Sequence, residues 1–281
     1  MNTNKPAMPT NNPRLTADRL TIGYGDKVIQ RDLSFRLMAG EMVCMLGPNG
    51  CGKSTLLRTL ASLQPALSGT YTLSSLSEAV SQHSGLSAQR SKEIALVLTE
   101  RLSIDSTTIH DVVAMGRHPY TSFLGTLSDE DERIILSSLE SVGIVSSDSQ
   151  PSASSNSQLS TLNFFNDLSD GEKQRVLIAK ALAQQTPLIL LDEPTAHLDL
   201  PNRILVLRLL RRLAHEEGKT ILISTHELDL ALQLSDRIML MSPACGGIQL
   251  DTASSLIASD AFTRAFHMDI FHPLQDELSL G

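Results

Sequence analysis

The sequence predicts an α/β fold: a mainly parallel sheet with helices on both faces, preceded by an antiparallel β subdomain and interrupted by an inserted α-helical subdomain. Three observations predict it. A strand, a glycine-rich loop and a helix follow one another from Met42 to Leu63. After Ser169, apolar strands alternate with helices, the pattern of parallel strands joined by helical crossovers. Between these two regions, residues 108–182 read mostly as helix. At 281 residues, 41% hydrophobic and 19% charged, the chain is ample to bury a large core.

Met1 to Arg14 is rich in Asn, Pro and Thr and lacks the apolar core of a signal peptide, so residues 1–13 are expected to form a disordered tail. From Arg14 to Gly40, short alternating segments meet turn signals at "GYGDK" and "MAG", as antiparallel strands do. "MVCMLG" then reads as a buried strand, "PNGCG" as a loop and "KSTLLRTLASL" as a helix. Tyr71 to Ser91 is Ser-rich and shows no clear period, and "IALVLT" is a further strand.

Thr108 with Asp111 signals a helix start. Ser128 before Asp129, Glu130, Asp131 and Glu132 signals another, with its acids at the positive end of the dipole. The apolar stripe of the second helix is Ile134, Ile135, Leu139 and Val142, and Gly143 is a stop. Residues 145–161 are low in complexity and rich in Ser, as a flexible surface insertion is. "LSDGE", Leu168 to Glu172, reads as a turn feeding an amphipathic helix. Its serine and glycine would leave free N–H groups at the helix's positive end, a natural seat for phosphate. "PLILLD", a helix from Asn202 to Ala214, "TILIST", a helix from Leu228 to Leu234 and "RIMLM" complete the alternation.

Composition excludes several classes. No apolar run approaches the roughly 20 residues that cross a bilayer. A net charge of −8 argues against a general nucleic-acid binder and against attachment to anionic lipid by charge alone. Cys44, Cys51 and Cys245 have no paired spacing, which fits a reduced cytosolic setting.

The chemistry is concentrated in three places. "GPNGCGKST", Gly47 to Thr55, fits G-x-x-x-x-G-K-[ST] between a strand and a helix, the context a phosphate-binding loop requires. In it Gly47, Pro48, Asn49, Gly50, Cys51 and Gly52 shape the cradle and Lys53 places a charge at the outer phosphates. Ser54 offers an oxygen to Mg²⁺, and Thr55 completes the motif. "LILLDEP" ends a strand in two carboxylates. Asp192 is placed to hold the Mg²⁺ shell and Glu193 to face an attacking water. "ISTHE" ends another strand in His226. A lone histidine is usually structural, but at this end of the sheet it can hold a γ-phosphate or orient the water.

Together with "LSDGEKQ", these motifs resemble the nucleotide-binding subunit of ABC transporters over nearly the whole chain after the tail. "GPNGCGKST" matches Walker A, "LSDGE" the signature, "LILLDE" Walker B, "AHLDL" the D-loop and "STHE" the H-loop, in the family's order. The resemblance implies a P-loop ABC cassette over residues 14–281, with its helical subdomain at about 108–182, that binds ATP with Mg²⁺. It implies a head-to-tail dimer of two copies, in which Leu168, Ser169, Asp170, Gly171 and Glu172 cap the ATP held by the partner's loop. Asp199 would align the two sites, and Tyr24 would stack on adenine.

Two departures stand out. Asp170 and Glu172 put negative charge where the family's usual signature has Gly and Gln, a repulsion relieved only if the carboxylates turn away or pair with Lys173 or Arg175. Thr99, followed by Glu100, stands where the family has a Gln near Mg²⁺, so one of these two is the further candidate metal ligand. The signature variant, "GRHPYTSFLG" and "AKALAQQTPLILLDEPTAHLDLPNR" are similar to the iron–siderophore, haem and cobalamin import branch.

That likeness implies an ATPase on the cytoplasmic face of the inner membrane, held by a separate permease and supplied by an extracytoplasmic substrate-binding protein, with no nucleic-acid partner. Tyr120 and Phe123 either pack within the helical block or line a groove for a short helix of the permease. The alternative is a soluble ABC ATPase acting without a permease. One cassette and a short helical insert disfavour it, and a P-loop kinase or GTPase would leave the signature, D-loop and His226 unexplained.

Overall fold

A computed structural model describes residues 12–74, 89–98, 106–121, 125–145, 161–242 and 246–266. Thr99, Glu100, Phe123, Cys245, most of the Ser-rich run and residues 1–11 of the expected tail lie outside the described residues. In chain order the elements are β1 (Pro13–Tyr24), β2 (Lys27–Met38), β3 (Met42–Leu46), α1 (Lys53–Leu60), β4 (Ser68–Leu73), β5 (Ile94–Val97), α2 (Ile109–Ala114), α3 (Asp129–Ser141), α4 (Asp170–Ala183) and β6 (Leu188–Asp192). There follow α5 (Leu200–Glu217), β7 (Thr220–Ser224), α6 (Leu228–Leu234), β8 (Arg237–Ser242), β9 (Gly247–Asp251), α7 (Ala253–Ala258) and α8 (Ala261–Phe266).

The main sheet has the order β5-β6-β7-β3-β8-β9; its first five strands are parallel and β9 runs antiparallel to β8. Strands β3, β6 and β7 are buried along their whole length, which is why they read as continuous apolar runs rather than alternating ones. Cys44, Leu191 and Ile223 look toward a core built largely from α2–α5 and α8. Met45, Leu190 and Leu222 look the other way, and the expectation of helices on both faces is only half met there. That second face is shared between α1 and the antiparallel sheet β2-β1-β4, through residues such as Leu15, Leu37 and Tyr71.

The helical subdomain starts its helices as the sequence indicates. Thr108 with Asp111, and Ser128 with Asp131, form capping boxes at the starts of α2 and α3. Helix α5 is longer than the expected Asn202–Ala214. It begins at Leu200 because Pro201 needs no N–H in the first turn, and it ends at Gly218, whose φ of 67° is left-handed. Among the described residues, no helix is long and apolar enough to cross a membrane.

Asp131 has a second role that the sequence does not show. One carboxylate oxygen accepts from the Ser128 N–H (2.9 Å) and hydroxyl (2.6 Å); the other accepts from Arg117 Nε at 2.7 Å. Arg117, buried, also donates to Ala183 O (2.7 Å) and Gln185 Oε1 (2.9 Å), tying α3 to the end of α4. These bonds hold the Asp131 carboxyl down at about 2, with the Ser128 bonds foremost and Arg117 next. Replacing Arg117 by Ala removes the charged partner of Asp131 and leaves its carboxylate to Ser128 alone, and we expect the loss of this charge-assisted bond to cost about 2 kcal/mol. Because the folded-state value is depressed, Asp131 stabilises fully above its unfolded value near ~4 and loses that contribution as pH falls toward the folded one. Thermal melts of wild type and Arg117→Ala between pH 7 and pH 3 will therefore show the gap in melting temperature narrowing at the acid end.

Candidate nucleotide site

Strands β6, β7 and β3 are neighbours and run parallel, so the loops that follow them meet along one edge of the sheet. The loop after β3 runs close to β8: a Cβ on Gly47 would lie 2.1 Å from the carbonyl oxygen of Met241, so the position admits only bare backbone. The loop closes through Cys51 N–H to Pro48 O (3.3 Å), and Gln30 Nε2 anchors it by donating to Cys51 O at 3.0 Å. Cys51 is buried, and burial pushes its thiol up against the opposing pull of the Lys53 charge. Asn49 and Gly50 are exposed and Pro48 is half-buried.

Helix α1 starts at Lys53 after Gly52, and no side chain caps it. Its first N–H groups are therefore available to an anion. Lys53 itself is buried, its Nζ donating to Gly47 O (2.8 Å) and Pro48 O (3.3 Å), so its charge is held at the loop. Ser54 is half-buried on the first turn. Thr55 Oγ1 donates to the hydroxyl of Tyr24 at 3.1 Å, which fixes that ring at the end of β1 with 48% of its surface exposed.

Asp192 ends β6 and is buried; it accepts from Ser224 Oγ at 2.5 Å. The same hydroxyl accepts from the Glu193 N–H at 2.9 Å. Glu193 has a φ of 47°, a left-handed conformation that is strained for a non-glycine residue, and it is held there by this bond and by another from its N–H to Ser224 O at 3.1 Å. The turn aims its carboxylate at β7's end, where His226 Nε2 contacts Glu193 Oε1. Two residues that the sequence treated separately are thus one unit. Ser224, which orients both acids, went unrecognised; its signal is only a small hydroxyl at the end of an apolar strand.

The "LSDGE" turn lies in the helical subdomain, and among the described residues no hydrogen bond or ion pair joins Leu168–Glu172 to Gly47–Thr55. Ser169 caps α4, with Leu168 buried beneath it and Asp170 exposed beside it. The repulsion expected from Glu172 is partly relieved, because its carboxylate is turned back on Ser169. It accepts from the Ser169 hydroxyl at 2.6 Å and N–H at 2.9 Å, and these bonds hold the carboxyl below the usual range. Arg175 adds a favourable charge there, but its own guanidinium donates to the carbonyls of Val142 and Gly143. With Ser169 committed to Glu172, the N–H groups of Asp170 and Gly171 are the ones at this helix end that no capping side chain takes up. Gly171 is buried against Asn202, whose side chain would lie 2.9 Å from a Cβ at that position. Asp199 is exposed and caps α5 by accepting from Asn202 N–H at 3.2 Å.

At the other side of the helical subdomain, Tyr120 is partly exposed rather than enclosed. Its hydroxyl donates to Gln184 O at 3.0 Å, and its ring centroid is 4.0 Å from the Arg117 guanidinium and 4.7 Å from Lys92 Nζ. Next to it, a cleft of about 250 Å³ is lined by Leu63, Ile94, Leu96, Leu98 and Gln184.

The described site can be compared with known proteins. Residues 30–196 match the model of a family described as ABC transporter. The iron(3+)-hydroxamate import ATP-binding protein FhuC of Bacillus subtilis is 36% identical over 255 residues, 91% of this chain and 88% of that protein. The ferric enterobactin transport ATP-binding protein FepC of Escherichia coli is 32% identical over 80% of this chain and 77% of its own length. Among solved structures, a dimeric ATP-binding cassette in a post-hydrolysis state, bound to ADP and phosphate, superposes with a TM-score of 0.66. It is 25% identical and covers 85% of this chain and 98% of its own.

Proposed function

Because this chain belongs to the ABC transporter family, we propose that it is the ATP-hydrolysing subunit of an ABC importer that energises uptake of an iron complex, as siderophore or haem, or of cobalamin through a separate permease. The observation that carries the enzymatic part is the Glu193–His226 pair, set at the strand ends beside an uncapped glycine-rich helix start. The import part rests on the likeness to import ATP-binding proteins for siderophores and cobalamin. The same relatives disfavour a permease-free ATPase.

The loop from Gly47 to Gly52 and the N–H groups of α1 bind phosphate oxygens, Lys53 neutralises their charge, and the Tyr24 ring stacks on adenine. Ser54 and Asp192 are hard oxygen donors at the loop and at the neighbouring strand end, a set that fits Mg²⁺ completed by phosphates and water, with Thr99 or Glu100 as a further ligand. Bound there, Mg²⁺ supplies charge neutralisation on the outer phosphates. Glu193 Oε takes the proton of the attacking water, and His226 holds the carboxylate in place and faces the terminal phosphate. Leu168 to Glu172 act on the ATP of a second copy arranged head to tail, with Asp199 aligning the pair.

The chain then sits on the cytoplasmic face of the inner membrane, where the cleft beside Tyr120 receives a short helix of the permease and an extracytoplasmic substrate-binding protein delivers cargo. Affinity purification from detergent-solubilised membranes tests this. A polytopic permease is expected in equal amount, with ATPase activity raised by an iron chelate, haem or cobalamin. Recovery only from the soluble fraction, alone or with ribosomes, would overturn the importer assignment.

A further inference from the structure

Glu227 stands at the first position before α6, where a short polar side chain normally accepts a bond from the helix. Its carboxylate does not do so. It reaches sideways to α5 and accepts from Arg203 Nη1 at 2.5 Å. Arg203 in turn donates through Nε to Leu198 O at 2.7 Å. The two acceptors belong to different catalytic loops. Leu198 lies between Glu193 and Asp199, in a turn closed by Ala196 N–H to Glu193 O (3.0 Å) and Leu198 N–H to Thr195 O (3.3 Å). Glu227 is joined to His226, and its own N–H is held by Thr225 Oγ1 at 3.1 Å.

A planar guanidinium presents fixed donor directions, so it holds both acceptors in one geometry in a way that an ammonium does not. Both side chains are about a third exposed, so the ion pair contributes little to overall stability. Neither group touches Glu193 or the phosphate loop through any bond among the described residues. Its effect is on placement: one side of the fork fixes the turn that carries Glu193 and Asp199, and the other fixes the turn that carries His226.

We propose that Arg203 and Glu227 form a positioning clamp that locks the loop after β6 to the loop after β7, and so sets the Glu193–His226 geometry for hydrolysis. This rests on the ATPase reading above. Arg203→Ala and Glu227→Ala should each lower kcat about tenfold, as expected for a small misplacement of reacting groups. The KM for ATP should stay within about twofold, since nucleotide contacts are untouched. Arg203→Lys, which keeps the charge but loses the fork, should fall between wild type and Arg203→Ala. The double variant should be no slower than the slower single one, because both break the same link.

Amide exchange without nucleotide provides an arm independent of activity: residues 195–203 and 225–231 should both lose protection in either single variant. Wild-type kcat and protection in Arg203→Ala would overturn the clamp, as would multiplying losses in the double variant or a loss that follows the unfolded fraction in melts. If the wild-type protein hydrolyses no ATP, the ATPase reading falls, and the exchange arm still decides the clamp.

Discussion

Glu193→Gln will leave ATP bound and stop its turnover. Gln has the same size and can still meet His226, and the bonds that hold this turn involve the Glu193 backbone N–H rather than its carboxylate. The fold of the site should therefore survive. What is lost is the carboxylate proposed to take a proton from water, because the Gln amide is not basic. Loss of a positioned general base lowers rates by about 100- to 10,000-fold, and here we expect the upper part of that range. Phosphate release measured beside the binding of a fluorescent ATP analogue separates the two effects. Turnover at the wild-type rate would remove Glu193 from its role. With hydrolysis stopped, the closed dimer should also accumulate, visible by sedimentation with ATP and absent without it.

Lys53→Ala and Ser169→Arg will each inactivate the protein alone, and mixing the two will restore activity. The reason lies in the separation of the two motifs. Lys53 acts in its own chain's loop, whereas Ser169 starts a helix in the helical subdomain that no hydrogen bond or ion pair among the described residues joins to that loop. In a head-to-tail dimer each site takes its loop from one copy and its signature from the other. A mixed dimer then has one doubly damaged site and one intact site. With random pairing, about half the dimers are mixed and each has one working site of two, so about a quarter of wild-type activity is the ceiling. ATPase assays across mixing ratios check this. No recovery at any ratio would mean that Ser169 serves its own chain or no nucleotide at all.

Residue by residue, the local elements were largely legible. The glycine-rich loop is defined by a few neighbouring residues between a strand and a helix, and the capping boxes at Thr108 and Ser128 follow from a spacing of three; the box of Ser169 with Glu172 has the same spacing but was not read from it. The wholly buried strands β3, β6 and β7 announced a parallel sheet because both of their faces are apolar. The end of α5 was misjudged by three residues. The helical period of its apolar side chains fades before the backbone does, and only the left-handed turn at Gly218 stops it. The sharing of the second sheet face between α1 and the antiparallel sheet was not legible. Strands β1, β2 and β4 and helix α1 each carry an apolar side, and nothing local says that they share one surface.

The candidate chemistry could be read along the chain: a glycine-rich loop, two acids and a histidine at strand ends, and the "LSDGE" turn. It could be read there because each motif is a short run whose spacing is fixed by one turn or one strand. How those groups address one another follows from packing across the sheet. Ser224 bonds to both Asp192 and Glu193 because β6 and β7 are neighbours in the sheet. Arg203 likewise reaches across from α5 to Glu227. Partners 24 or more residues apart, as in the last case, leave no mark in the spacing of the chain. They exist because burial of the apolar strands sets the sheet order, and the sheet order places the loop ends side by side.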